Sequence, residues 1–151
     1  MIKKQKKRLG EILLDYGIIS QKELEMALKE QKIRNKRVGE ILIELYLVTQ
    51  DQINWVLSKQ LDIPYVQIET NQLDLDLLKK FPGFLIKNYH IIPLIEMNDT
   101  LVVAMSDPTD NEAQQKIKTF HKKNFEVALA SFKNISEIIQ YIENEYPDMW
   151  Q

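Results

Sequence analysis

The chain has 151 residues, 44% of them apolar, enough for one domain or two small ones with a buried core. Its formal net charge of −2 argues against a general nucleic-acid binder, which would carry a broadly basic surface. The absence of Cys excludes a disulfide framework, thiolate zinc sites and thiol catalysis.

The first residues are basic: Lys3, Lys4, Lys6, Lys7 and Arg8. They read either as a solvated terminus or as an electrostatic lure for an anion near Arg8. No signal-type apolar stretch follows them, and no apolar run approaches the ~18 residues of a membrane span. A cytoplasmic protein without membrane insertion is expected.

Residues 8–31 and 37–60 are the same segment written twice, RLGEILLDYGIISQKELEMALKEQ and RVGEILIELYLVTQDQINWVLSKQ, at an offset of 29 (37 − 8). Self-similarity at a fixed period marks a repeated supersecondary unit. Packing alone would preserve the apolar pattern. This repeat also preserves Arg8, Gly10 and Gln31 as Arg37, Gly39 and Gln60.

In the first copy Leu9, Ile12, Leu13 and Tyr16 follow helical spacing until Gly17 breaks it. Ser20 and Glu23 then form a capping box, opening a second helix with Leu24, Ala27 and Leu28 on one face. The second copy repeats the pattern with Val38, Ile41, Leu42 and Leu45, the cap Thr49 with Gln52, and Ile53, Val56 and Leu57. Two αα-hairpins joined by a spacer from Lys32 to Lys36 are expected.

Pro64 opens a different texture. It leads into Tyr65-Val66-Gln67-Ile68, a short helix around Leu73 to Lys80 and a further helical turn at 84–89 after Pro82-Gly83. Ile91 to Glu96 and Leu101 to Met105 read as strands joined by a hairpin turn at Met97 to Thr100. A helix at 110–122, a strand from Phe125 to Ala130 and a helix at 134–145, starting near Asn134 or Ser136, complete the chain. The expected class is α+β. A tandem αα-hairpin (four-helix) unit over 1–62 precedes a small α/β unit over 63–151 with a three- to four-stranded sheet.

Neither G-x-x-x-x-G-K-[ST] nor G-x-G-x-x-G can be written with Gly10, Gly17, Gly39 and Gly83, so no phosphate-cradling loop exists. His90 and His121 stand far apart without ligand-spaced companions and read as structural, so no metal site is expected. Asp74 and Asp76 fit a helix start better than acid–base work. No catalytic machinery is visible, and no enzyme is expected.

An antiparallel hairpin brings the start of its first helix to the end of its second. Arg8, Gln31, Arg37 and Gln60 should therefore gather at one edge, with Gly10 and Gly39 beside them. Leu24, Leu28 and Gln31 share one helix face, as do Ile53, Leu57 and Gln60, so each apolar stripe finishes in an amide. Glycine in a first helical turn permits close approach where free amides favour anions. Arg matches the O6/N7 edge of guanine. A nearly two-fold ligand with two guanines and two phosphates would suit two repeats. The competing reading is that Arg8 and Arg37 only pair with Glu11 and Glu40 at i+3.

The two motifs with their five-residue spacer resemble the tandem motif of MshEN domains, the N-terminal domains of type II secretion and type IV pilus assembly ATPases. Ile91-Ile92-Pro93-Leu94, Leu101 to Pro108, and Ile138-Ile139 through Tyr146 also resemble that region, so the likeness runs from about residue 8 to residue 146. The resemblance implies cyclic di-GMP as ligand, half taken by each motif, and no other cofactor. It implies guanine contact by Arg8 and Arg37, hydrogen bonds from Gln31 and Gln60, and apolar contact from Leu9, Leu24, Leu28, Val38, Ile53 and Leu57. Gly10 and Gly39 would permit close approach, Glu11 and Glu40 would assist, and Asp107 would reach in from the second unit. Val38 for Leu9, Tyr46 for Gly17 and Ile53 for Leu24 depart from the first copy, and Tyr46 predicts a turn of different geometry. The implied partner is a secretion or pilus ATPase, either within a longer chain or separate, or a membrane-platform protein. The alternative is a docking module joining ATPase to platform without nucleotide binding.

Overall fold

Four helices build the repeat: α1 (Leu9–Asp15), α2 (Gln21–Arg34), α3 (Val38–Glu44) and α4 (Gln50–Leu61). The computed structural model describes residues 7–150, and the chain divides after Asp62 into two units. The Ser20 hydroxyl accepts from the Glu23 amide at 3.1 Å, while the Glu23 carboxylate accepts from the Ser20 amide at 2.9 Å. Thr49 and Gln52 reproduce both bonds at 3.1 and 2.9 Å. Each cap satisfies amides that the helix itself leaves orphaned, a contribution of about 1 kcal/mol.

The helix ends correct two expectations. α2 runs on to Arg34, so the link is Asn35 to Arg37 rather than Lys32 to Lys36. Asn35 takes the left-handed conformation (φ 49°) that stops the helix, and Arg34 pairs back to Glu30 at 3.3 Å. The turn at Tyr46 does not differ from that at Gly17. The Gly17 and Ile18 amides donate to the Leu14 and Leu13 carbonyls, both at 2.9 Å. Those of Tyr46 and Leu47 donate to Ile43 and Leu42, both at 3.0 Å. This is the same Schellman closure. Both turn residues are left-handed, with φ 69° at Gly17 and 59° at Tyr46. The closing bonds are main-chain bonds, indifferent to the side chain, and burial of Ile19 and Val48 anchors both turns equally.

Leu13, Ala27, Ile41, Leu42 and Val56 are fully enclosed in the core of this unit. α1 packs on α4 and on α3, and α2 on α3, so the copies interlock and each buries the other's stripe.

The second unit is a three-stranded sheet in the order β1 (Ile91–Met97), β2 (Thr100–Met105), β3 (Asn124–Leu129). Asn98 and Asp99, at φ 50° and 66°, make the β1–β2 turn. β3 lies parallel to β2, which requires the crossover helix α7 (Asn111–Phe120). α5 (Leu75–Lys80) and α6 (Gly83–Tyr89) pack on β1, and α8 (Phe132–Glu145) closes the unit. The run at Tyr65 adds no fourth strand. Tyr65 bridges Leu129 once, the Val66 amide donating to the Leu129 carbonyl and the Leu129 amide to the Pro64 carbonyl, both at 2.8 Å, after which the Ile68 amide is taken by the Asn134 side chain at 2.7 Å. Asn134 is thus committed to that buried bond, and Ser131 caps α8 instead, its hydroxyl accepting from the Asn134 amide at 3.0 Å.

His90 ends α6 in the left-handed region (φ 55°) and stacks on Phe132 at 3.9 Å between ring centres. Its Nε2 lies 2.9 Å from the Ser136 hydroxyl and 3.2 Å from the Phe132 carbonyl. Burial pushes its pKa below the ordinary value, against the opposing effect of the carbonyl bond.

Two outcomes follow from these backbone features. Tyr46→Gly relieves a left-handed tyrosine exposed to solvent, and should raise stability by about 1 kcal/mol, read as a thermal midpoint a few degrees higher. For His90, the unfolded chain takes up a proton near 6.5 while the folded chain does so only at lower pH. Its stabilising contribution is therefore complete above that value and lost as pH falls through the folded pKa. Urea midpoints at about pH 7.5 and about pH 5.5 should show this loss, and His90→Asn, which tolerates the same backbone, should reduce it.

Candidate functional site

Arg8 and Arg37 are the residues from which α1 and α3 start, with nearly identical extended backbones (φ −71°, ψ 154° and φ −69°, ψ 146°). A guanidinium accepts no hydrogen bond, so neither side chain can cap its own helix. At Arg8 the Glu11 carboxylate supplies half of a capping box, accepting from the Arg8 amide at 3.3 Å. Among the described residues no ion pair joins the Arg8 and Glu11 side chains, contrary to the competing i+3 reading for the first copy. Arg8, Arg37, Glu11 and Glu40 are exposed, and Gln31 and Gln60 are half-buried.

The edge is assembled across the repeats. The Gln60 side-chain amide donates to the Lys7 carbonyl at 2.9 Å, bringing the end of α4 to the residue before Arg8. Gln31 lies in the last turn of α2 and Arg37 at the start of α3. The glutamine bonded beside Arg8 is therefore that of the second copy, Gln60, where a free-standing hairpin would have offered Gln31.

The apolar candidates divide by depth. Leu24 and Ile53 are core residues, 8% and 5% exposed, whereas Leu9, Val38 and Leu57 are half-buried and Leu28 is 42% exposed. A Cβ on Gly10 would lie 2.7 Å from Leu24 Cδ1, and one on Gly39 would lie 3.1 Å from Leu9 Cδ2 and 3.6 Å from Ile53 Cδ1. The close approach that glycine permits is, in this structure, that of a neighbouring leucine.

The repeat also reaches one residue further upstream than sequence comparison of its apolar and Arg/Gly/Gln positions indicates. Lys7 pairs with Asp15 at 2.6 Å, and Lys36 pairs with Glu44, which Arg34 also meets at 2.7 Å. Both pairs obey the repeat offset (36 − 7 = 29; 44 − 15 = 29). The hydrogen bond to Asp15 raises the Lys7 pKa, and the hydrogen bond from Lys36 lowers that of Glu44.

Asp107 lies in the second unit after β2, where its carboxylate accepts from the Thr109 amide at 3.0 Å. Lys3, Lys4 and Lys6 fall outside the described residues. Among the described residues no group of three or more His, Asp or Glu is placed to hold a metal ion, and no helix is long and apolar enough to cross a membrane.

The MshEN domain family matches residues 61–146 of the chain. The chain belongs to the MshEN domain family. The structure of MshE with cdg, that is, cyclic di-GMP, superposes with a TM-score of 0.78 at 31% identity, covering 89% of this chain and 98% of that one. That superposition extends the likeness into the helical repeat, which the family match itself leaves out. The N-terminal domain of XpsE shares the MshEN fold at 18% identity, with a TM-score of 0.62 over 93% of this chain and 97% of that one. The type IV pilus assembly ATPase PilB of Myxococcus xanthus is 29% identical over 133 residues, 88% of this chain. The chain spans 24% of PilB's length.

The glycine geometry is testable. Gly10→Ala should destabilise the helical unit by about 1 kcal/mol, overpacking against Leu24 outweighing the helix propensity gained. In a Leu24→Ala background the same change should become neutral or favourable, a coupling that a double-mutant cycle of denaturation measures.

Proposed function

We propose that this MshEN domain is a non-enzymatic receptor for cyclic di-GMP. The observation that carries this reading is the joint one: 31% identity to MshE, solved with that ligand, over nearly the whole chain, and an Arg/Gly/Gln set in each repeat whose two arginines share nearly the same backbone geometry. In this reading residues 1–62 are the ligand-binding unit, and each copy takes about half of a nearly two-fold ligand. Arg8 and Arg37 address the guanine edges, for which a planar fork of donors is the best match. Gln31 and Gln60 donate to the ligand, Gln60 through the N–H that its bond to the Lys7 carbonyl leaves over. Leu9, Leu28, Val38 and Leu57 offer apolar surface to the rings, with Leu24 and Ile53 supporting them from beneath Gly10 and Gly39. The helix starts leave amides for phosphate, assisted at the first by Glu11 through its hold on the Arg8 amide, with Glu40 the matching candidate at the second. Asp107 is a further candidate for ligand contact.

The partner in this reading is an ATPase of the PilB type, in the same chain or separate, in the cytoplasm. Ligand shifts that partner only by its preference for one arrangement of this domain.

Calorimetric titration with cyclic di-GMP is the test. Saturable heat is expected, and Arg8→Ala or Arg37→Ala should weaken binding about ten- to hundred-fold with helicity unchanged by circular dichroism. No heat at high micromolar ligand, together with ligand-independent capture of the ATPase, would instead favour a docking module.

A further inference from the structure

Asp15 and Glu44 are the last residues of α1 and α3, and neither helix has a basic residue in its last turn. A carboxylate there faces the negative end of the helix, an unfavourable position that nothing in the apolar pattern requires. Both copies nevertheless place one there. In both copies it is answered by a lysine that stands before the helix begins, Lys7 to Asp15 at 2.6 Å and Lys36 to Glu44. Lysine and carboxylate thus reach toward each other along the helix, and the pair closes a ring from the residue in front of the arginine to the last residue of the helix that the arginine starts. Helices of seven residues are too short to hold their own ends.

Lys7 is held a second time, since its carbonyl accepts from Gln60 at 2.9 Å. Arg8 is then fixed from behind by Lys7 and from ahead by Glu11 at its amide. The direction in which a long side chain leaves depends on the backbone from which it starts, so this ring sets where the guanidinium can reach.

We infer that Lys7 and Lys36 are positioning residues for Arg8 and Arg37, acting through Asp15 and Glu44 rather than by touching the ligand. The inference rests on the reading of the repeat as a cyclic di-GMP site. The rival for the same lysines is direct contact with the ligand's phosphates. The geometry favours positioning, because each ammonium is already engaged by the carboxylate that ends its helix.

The experiment is calorimetry with cyclic di-GMP on wild type, Lys7→Gln, Asp15→Asn, Lys7→Arg and the exchanged pair Lys7→Asp/Asp15→Lys, with the matching set at Lys36 and Glu44. Wild-type binding is the control, and its absence overturns the receptor reading and this one with it. With wild type binding, Lys7→Gln and Asp15→Asn should each weaken affinity by about two- to five-fold, the range such surface pairs carry, at unchanged thermal midpoint. Lys7→Arg and the exchanged pair should restore it. Unchanged affinity in Lys7→Gln, or an exchanged pair that binds more weakly than either single variant, overturns the inference. The latter result would assign the ammonium to a phosphate.

Discussion

The arrangement of the helical unit depends on one steric constraint, the absence of a side chain at Gly10 and Gly39. Leu24 Cδ1 occupies the space beside Gly10, and Leu9 Cδ2 with Ile53 Cδ1 that beside Gly39. These contacts seat the starts of two short helices on the core, and Leu9 beside Gly39 ties the first copy to the second. A seven-residue helix has little stability of its own, so its orientation is that of the surface it rests on. The arginines at the starts of α1 and α3 inherit their shared backbone geometry from this seating.

The same interlock accounts for the edge that gathers the polar residues. A repeat whose copies stood apart would pair each arginine with the glutamine of its own hairpin. Because α1 packs on α4, the glutamine beside Arg8 is Gln60, and it is already bonded to the Lys7 carbonyl. A change in one copy is therefore expected to be felt in both.

Tolerance of the differences between the copies has the same origin. Tyr46 occupies a turn that Gly17 fills more easily, yet the backbone bonds and the buried residues that follow leave it no other path. Asp15 and Glu44 differ by a methylene, and both are reached by the lysine 29 residues apart in register (36 − 7 = 29). What repeats is therefore the geometry of caps, closures and pairs, with residue identity free to vary where the main chain does the bonding.

The sequence by itself determined the α+β class, the helices of the repeat and their capping boxes, because these depend on residues within a few positions of one another. The arginines, glycines and glutamines were legible for a related reason: an exact offset survives in a linear record. Tertiary structure alone decided the rest. The diversion of Ile68 to Asn134 in place of a fourth strand and the cap at Ser131 both turned on a distant amide, that of Ile68, claiming the Asn134 side chain. Packing likewise decided the division of the apolar candidates into core and surface, and the placing of Gln60 beside Arg8. Local spacing states which bonds a segment can make, and only the packed chain decides which partner arrives to make them.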